Sequence, residues 1–549
     1  MATRSSSRAS IRSALGRRLG MDGRAIAAFR VLLGLTLLFD VGHRATDLRA
    51  FYTDAGVLPR SLLDANSGLT ADLSLHALSG GAWSQALLFA FTGLLAIALV
   101  VGYRPRLAAA LAAVLVFSLH WRNPHVLNAG DRLFRELLVL AVFLPLADRW
   151  AVRSTARGAP EDEPVDDTPG ANWLDRVRWR GGSRIATPAT AAAMIHVVTL
   201  FFSNAGEKLA GDTWPTGEAL DYAFRQDHMT ILLGEVLVEY PVLLELGTYG
   251  WFGLLCSAPV LLLTADRLRL VHCLAFLGAI SGLALTMAIG LFPPSLAAGV
   301  VMFLPPRFWN AAERMGTRLR RSVATRREAW DASISAGVGD SIARLRRGAR
   351  RFGKPLARFD RELDAAAARV VTPTARTLAD RGWTISLVLL LCVVAVLSVG
   401  LLGWAQPVEP VADVSLEDYA WDVYAPDPGD DFGYLTVTAE RADREAVDVL
   451  RGTSLSAPPP PDPSDRIPSF RWRKYTVALF GTDAEPYREA YAEYMCTRAD
   501  ERFDGTVTSI RITYTRHEFA LPGAETGIEP GSNGASDSTT FEVATRACR

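Results

Sequence analysis

Lysine is nearly absent from this sequence. Of 58 Lys and Arg residues, only Lys208, Lys354 and Lys474 are lysines. Wherever a fixed positive charge suffices the chain uses arginine, whose guanidinium stays charged, whereas an amine can lose its proton when desolvated. Charge as a whole is also scarce, at 21%, against about 25% in soluble proteins. The formal net charge of zero argues against a nucleic-acid partner held by bulk electrostatics. Cysteine is rare too, with five residues. Cys256, Cys273 and Cys392 sit in apolar runs and read as small buried hydrophobes. Cys496 and Cys548 fall near the C-terminus and could pair in an oxidising compartment. No spacing resembles a metal site, so no metal ligands are expected.

What the chain does have is apolar residues, 50% of the total, gathered into long runs. A helix needs roughly 20 apolar residues to cross a bilayer. Candidate spans are Ala25–Gly42, Trp83–Gly102, Leu107–Trp121, Leu133–Leu146, Thr187–Phe202, Val242–Thr264, Val271–Leu291, Ser295–Leu304 and Trp383–Trp404. Ser295–Leu304 is the weakest, because Pro293-Pro294 and Pro305-Pro306 bound it, and it could be re-entrant. The basic N-terminus (Arg4, Arg8, Arg12, Arg17, Arg18, Arg24) runs into an apolar stretch that carries Arg30. No small-residue cleavage site follows, so an uncleaved first helix is expected rather than a signal peptide.

Arginine sets the orientation. The N-terminus, Arg104 and Arg106, the loop Arg149–Arg184, the turn Arg267–Arg269 and the segment Arg307–Arg381 all fall on one side if about nine spans are counted. That side is then cytoplasmic, and the region from about Gln406 lies outside. The expected fold class is an all-α polytopic membrane protein with a small α+β extracytoplasmic C-terminal domain. Its parts are a basic N-terminus (1–24), a transmembrane domain (25–305), a basic amphipathic or linker segment (306–382), a last span (383–404) and an outer domain (405–549). In the outer domain Phe432–Ala439 and Thr506–Tyr514 alternate like strands and Glu485–Arg498 has helical periodicity. Ala457–Pro463 reads as a proline-rich linker, Glu161–Asp167 as a flexible acidic loop and Gly523–Thr540 as a mobile tail.

This topology brings three polar clusters to the outer face. Asp40, His43 and Arg44 end the first span. His120, Trp121, Arg122, Asn123, His125, Asn128, Asp131, Arg132, Arg135 and Glu136 make the turn between spans three and four. Glu207 and Lys208 end span five. Ionisable groups near spans are costly unless paired or in a polar cavity, which makes them functional candidates. Lys208 could be a base, but snorkelling to the interface, or an ion pair with Glu207 or Asp212, would also explain it. Asp40 with Arg44, and Arg132 with Glu136, are i,i+4 pairs that could simply hold helix ends together. His196 and His272 are expected to bond neighbouring helices.

Several motifs carry a resemblance. They are Asp47-Leu48-Arg49-Ala50-Phe51-Tyr52-Thr53-Asp54-Ala55-Gly56-Val57-Leu58-Pro59-Arg60, Gly102-Tyr103-Arg104, and Arg122-Asn123-Pro124-His125-Val126-Leu127-Asn128-Ala129-Gly130-Asp131. Phe143-Leu144-Pro145-Leu146 before Trp150 follows, then Ala205-Gly206-Glu207-Lys208-Leu209 with Trp214 and Gly217. In this order the chain resembles the HTTM (horizontally transferred transmembrane) domain, the microbial relatives of vitamin K-dependent gamma-carboxylase, over roughly residues 20–305. Arg471-Trp472-Arg473-Lys474-Tyr475 looks like part of the tail that follows this domain. The resemblance implies quinone-using modification chemistry at the outer face, with Lys208 as the base and His125 assisting. Asn123, Asn128, Asp131, Arg132, Asp40, Glu207 and Trp214 would support them. It also implies a quinone cofactor and a secreted peptide or protein as partner. The carboxylase has two adjacent lysines where this chain has Glu207-Lys208, and its Trp-Asn-Asn-His segment meets Trp121-Arg122-Asn123-Pro124-His125 only with an insertion. A non-catalytic role in maturing or exporting a secreted peptide is the alternative.

Overall fold

In the computed structural model, residues 13–63, 72–152, 179–331, 373–401, 423–442, 444–455, 467–480, 484–519 and 537–548 are described. The expected linker Ala457–Pro463 and acidic loop Glu161–Asp167 lie outside them. Most apolar runs become helices: α1 (Gly23–Thr46), α2 (Ala82–Val101), α3 (Pro105–Arg122), α4 (Ala129–Phe143), α5 (Pro188–Leu209), α6 (Pro241–Cys256), α7 (Asp266–Thr286) and α8 (Phe292–Val301). Among the described residues, four of them, α1, α2, α5 and α7, are long and apolar enough to cross a membrane.

Local chemistry sets the helix ends. Pro105, Pro188 and Pro241 occupy first turns, where a missing N–H costs nothing. Asn128 and Thr187 close capping boxes on α4 and α5. Gly102 ends α2 in the left-handed region at φ +72°, where a Cβ would also strike Arg30. The run Val242–Thr264 is not one helix. It breaks after Cys256, with a turn through Ser257–Pro259 before a short piece at Val260–Leu263, because proline cannot donate to the preceding turn. The weak run at Ser295–Leu304 forms the 10-residue α8, largely buried rather than facing outward.

Charged side chains tie the end of the helical domain that carries the N-terminus. Arg30, buried inside α1, donates to the carbonyls of Leu146 at 2.8 Å, Arg149 at 3.1 Å and Trp150 at 2.6 Å. Arg269 of α7 donates to Thr264 and Arg18 carbonyls. A small antiparallel sheet, β1 (Met21–Asp22), β2 (Trp179–Gly181) and β3 (Arg184–Ala186), pairs the basic N-terminus with the end of the basic loop and was not anticipated. The cysteine expectation needs partial correction. Cys273 is buried, but Cys256 and Cys392 are exposed on apolar helices.

The C-terminal part is α+β, as its alternation predicts. Strands β4 (Asp431–Arg441), β5 (Arg444–Asp448), β6 (Thr453–Ser454), β7 (Val507–Glu518) and β8 (Asp537–Ala547) form one antiparallel sheet in the order β6-β5-β4-β7-β8. Strand β8 starts inside the stretch read as a tail, so Asp537–Thr540 is paired rather than mobile. The helix α12 (Glu485–Arg502) packs on this sheet, and Cys496 bonds Cys548 as foreseen. A shorter helix, α11 (Phe470–Thr476), carries the Arg471–Tyr475 motif back to the helical domain. A second unit comprises Pro306–Leu397. It contains α9 (Pro306–Asp331) and most of α10 (Pro373–Leu401). The rest of the basic segment lies outside the described residues.

Candidate functional site

The polar ends of α1, α3, α4 and α5 meet at one end of the helical domain, as the topology required, but they divide into two sites of different character. The first is a closed ionic cluster. Arg44 Nε donates to both Asp40 oxygens at 2.9 Å, and its Nη2 donates to Asp131 at 2.6 Å. Nη1 of Arg44 reaches the Tyr52 hydroxyl at 2.6 Å, and His120 Nε2 lies 3.3 Å from Nη2. Arg471 from α11 completes the cluster by donating to Asp40, while its Nη1 lies 3.6 Å from Asp131. Two carboxylates thus face two guanidiniums, all of them inaccessible to solvent. The charges cancel, and the cluster joins the C-terminal domain to the helices. Trp472 Nε1 donating to Asp47 at 3.0 Å and Tyr475 donating to the Val57 carbonyl at 2.7 Å reinforce the joint.

Most of the remaining predicted residues support this architecture. Asn123 donates to the Phe51 carbonyl at 3.1 Å. Asn128 caps α4 and donates to the Ile289 carbonyl at 3.0 Å. Arg132 pairs with Glu136 at 3.1 Å, and Glu136 meets His196 at 3.0 Å. His125 packs edge-on against Tyr475 and Tyr487, and it is not among the residues lining the cavity described next. Burial pushes its imidazole pKa down. Glu207 is exposed.

The second site is a cavity of about 870 Å³ with Lys208 in its wall. Its sides are chiefly apolar, from Leu244 and Trp251 on α6, Leu283 on α7, Phe224 and Phe292. Gly250 on α6 and Gly282 on α7 also line it, and a Cβ at either would meet nothing within 4 Å. Gly130 serves a different purpose. A Cβ there would come within 2.3 Å of the Phe292 backbone, so glycine allows α4 to lie against the start of α8.

Lys208 is only 1% exposed. Its Nζ donates to the carbonyls of Val423 at 2.6 Å and Tyr424 at 2.8 Å, and lies 3.9 Å from the Trp214 ring centroid. Trp214 Nε1 donates to the same Tyr424 carbonyl at 2.8 Å. Tyr424 sits at φ +52°, a conformation that costs a residue with a Cβ roughly 1–2 kcal/mol. The strap formed by Val423–Asp427 is held down by Asp427, which accepts from Thr213 N at 2.8 Å. Desolvation opposes ionisation of Asp427, but the Thr213 and Asp212 hydrogen bonds win and hold its pKa below the usual carboxylate value. Strain of this kind gathers where backbone groups must be presented at a fixed position.

Sequence reasoning found Lys208 and Trp214 but missed the carbonyls of Val423 and Tyr424. It also missed Arg473 and Lys474, which line the same cavity. One signal was available: of three lysines in the chain, two line this one cavity. Among the described residues, no carboxylate does. Among the described residues, no group of His, Cys, Asp and Glu could hold a metal ion. No family model matches the chain, and neither a curated protein nor a solved structure matches it. The HTTM resemblance therefore rests on the motifs quoted above.

Proposed function

We propose that this is a multi-pass membrane protein, its N-terminus cytoplasmic and its C-terminal domain extracytoplasmic, that carries out carboxylase-like, quinone-using modification chemistry in the Lys208 cavity. The observation that carries the reading is a buried amine in the wall of an apolar, single-ligand-sized chamber. Pockets of about 300–1,000 Å³ commonly enclose one small molecule. A flat, lipid-soluble ring fits walls of leucine, phenylalanine and tryptophan with one polar corner. Bound there, a quinol would supply an acidic ring hydroxyl. Lys208 in its neutral form takes that proton at Nζ. The Val423 and Tyr424 carbonyls can accept from the amine before the transfer and from the ammonium after it, so the side chain need not move. Trp214 favours the cation that results.

Lys208→Ala is expected to abolish quinol-dependent oxygen uptake by the purified protein in nonionic detergent while leaving membrane insertion intact. Unchanged activity in Lys208→Arg would remove the base role, because guanidinium cannot act as the acceptor. Gly250→Leu is expected to fill the chamber and block quinone binding without unfolding the protein. Retained binding would move the ligand elsewhere.

A second reading, a non-catalytic partner in maturing or exporting a secreted peptide, draws on β8. This edge strand of 11 residues is largely exposed along its length. An extended peptide can add to such an edge. Processing of a secreted peptide that depends on the C-terminal sheet but not on Lys208 or quinone would favour it.

A further inference from the structure

Arg473 stands in the wall between the Lys208 cavity and a smaller one of about 530 Å³. The smaller chamber is also lined by His43 and His228, with apolar walls from Phe39, Met287, Ile467 and Phe470. Three observations there converge. First, no Asp or Glu is among the described residues that line either cavity. Second, the Arg473 side chain makes no hydrogen bond or ion pair among the described residues, although Arg471, two positions earlier, is bound to Asp40 and close to Asp131. Third, His43 and His228, which line the smaller chamber, each keep a buried ring nitrogen, Nδ1, with no hydrogen-bond partner among the described residues. Buried charges and polar groups are normally paired. Here a guanidinium lines both chambers, and no acidic group among the described lining residues answers it. The electrostatics agree. Burial, followed by the nearby Arg473 charge, pushes His228 down to about 3. Burial also lowers Arg473, with only the Tyr424 phenol acting against it.

We infer that the smaller chamber is a binding site for an amphiphile with an anionic head, carboxylate or phosphate, which Arg473 receives while the tail lies along the apolar walls. Guanidinium suits both heads because its fork can donate two parallel hydrogen bonds to either. The bound anion would also favour protonation of His228 beside it. Phe39 is 55% exposed on α1, so the chamber borders the apolar outer surface of the helices, the side from which a lipid-dissolved molecule would arrive. Such an amphiphile could be a free fatty acid or the headgroup of an anionic phospholipid. The site does not depend on proton transfer at Lys208.

The test is equilibrium binding of radiolabelled oleate to the full-length protein in nonionic detergent, beside oleyl alcohol, which has the same tail without the charge. Wild type is expected to bind oleate at least tenfold more tightly than the alcohol. Arg473→Gln is expected to lose that preference while still binding the alcohol, and Arg473→Lys to keep part of it. Competition then assigns the source. Displacement by dioleoylphosphatidylglycerol but not by dioleoylphosphatidylcholine supports a membrane headgroup as the occupant, whereas displacement by neither supports a free fatty acid. Equal affinity for oleate and oleyl alcohol in wild type would overturn the site, as would a full oleate preference in Arg473→Gln. A thermal transition for Arg473→Gln matching wild type separates loss of the head contact from loss of the fold.

Discussion

Two arginines separated by one residue behave in opposite ways. Arg471 points into a neutral cluster in which every charge has a partner, and water is excluded. Arg473 faces two chambers with no counter-charge among the described residues that line them. The two side chains share a short helix and a composition, so neither local propensity nor residue type separates them. What differs is the sum of charge around each. A balanced buried cluster holds elements together, while an unbalanced one requires something from outside.

The comparison breaks most readily at Arg471. Replacing it with Ala leaves Asp40 and Asp131 sharing a single guanidinium in a buried site, and loss of about 3–5 kcal/mol is expected, read by thermal unfolding in detergent. The matched change Arg471→Met with Asp40→Leu should recover much of that loss, because removing both charges is far cheaper than stranding one. Next comes the Cys496–Cys548 bond, which ties α12 to the end of β8 in the domain that presents both arginines. Its removal as a double serine variant should cost about 2–4 kcal/mol, with the loss measured as earlier melting of the sheet.

A smaller effect concerns pH. Asp427 is held below the usual carboxylate range in the folded chain, so it stabilises the strap while ionised. That contribution is lost as pH falls through the lowered value. Acidification should therefore increase hydrogen exchange at Val423–Asp427 in wild type and have little further effect in Asp427→Asn. The smallest change is expected at Arg473. Arg473→Gln should melt within about 0.5 kcal/mol of wild type, since no hydrogen bond or ion pair among the described residues is lost. A large destabilisation there would erase the contrast with Arg471.

The helical domain was largely legible from its apolar runs because burial of long hydrophobic stretches leaves little freedom of interpretation. The break after Cys256 was less visible, since Pro259 lies within a run whose average hydropathy hides it. The convergence of Asp40, Asp131 and Lys208 followed from counting helices. Their division into a clamp and a chamber did not, because it depends on Arg471 and on the strap at Val423–Tyr424. Those residues lie more than 200 positions beyond Lys208, and no periodicity links them to it. His125 illustrates the same limit. A motif placed it beside Lys208, but Tyr475 and Tyr487, from the C-terminal domain, hold it elsewhere.

The strap and α11 are made long after the helices they cover. During synthesis helices α1 to α8 are complete while Lys208 still lacks both carbonyl partners and Asp40 has only Arg44. The chamber gains its roof when positions 423–475 emerge and dock. A ribosome that stalls before that point leaves the buried amine without its two carbonyl acceptors and Asp40 without its second guanidinium.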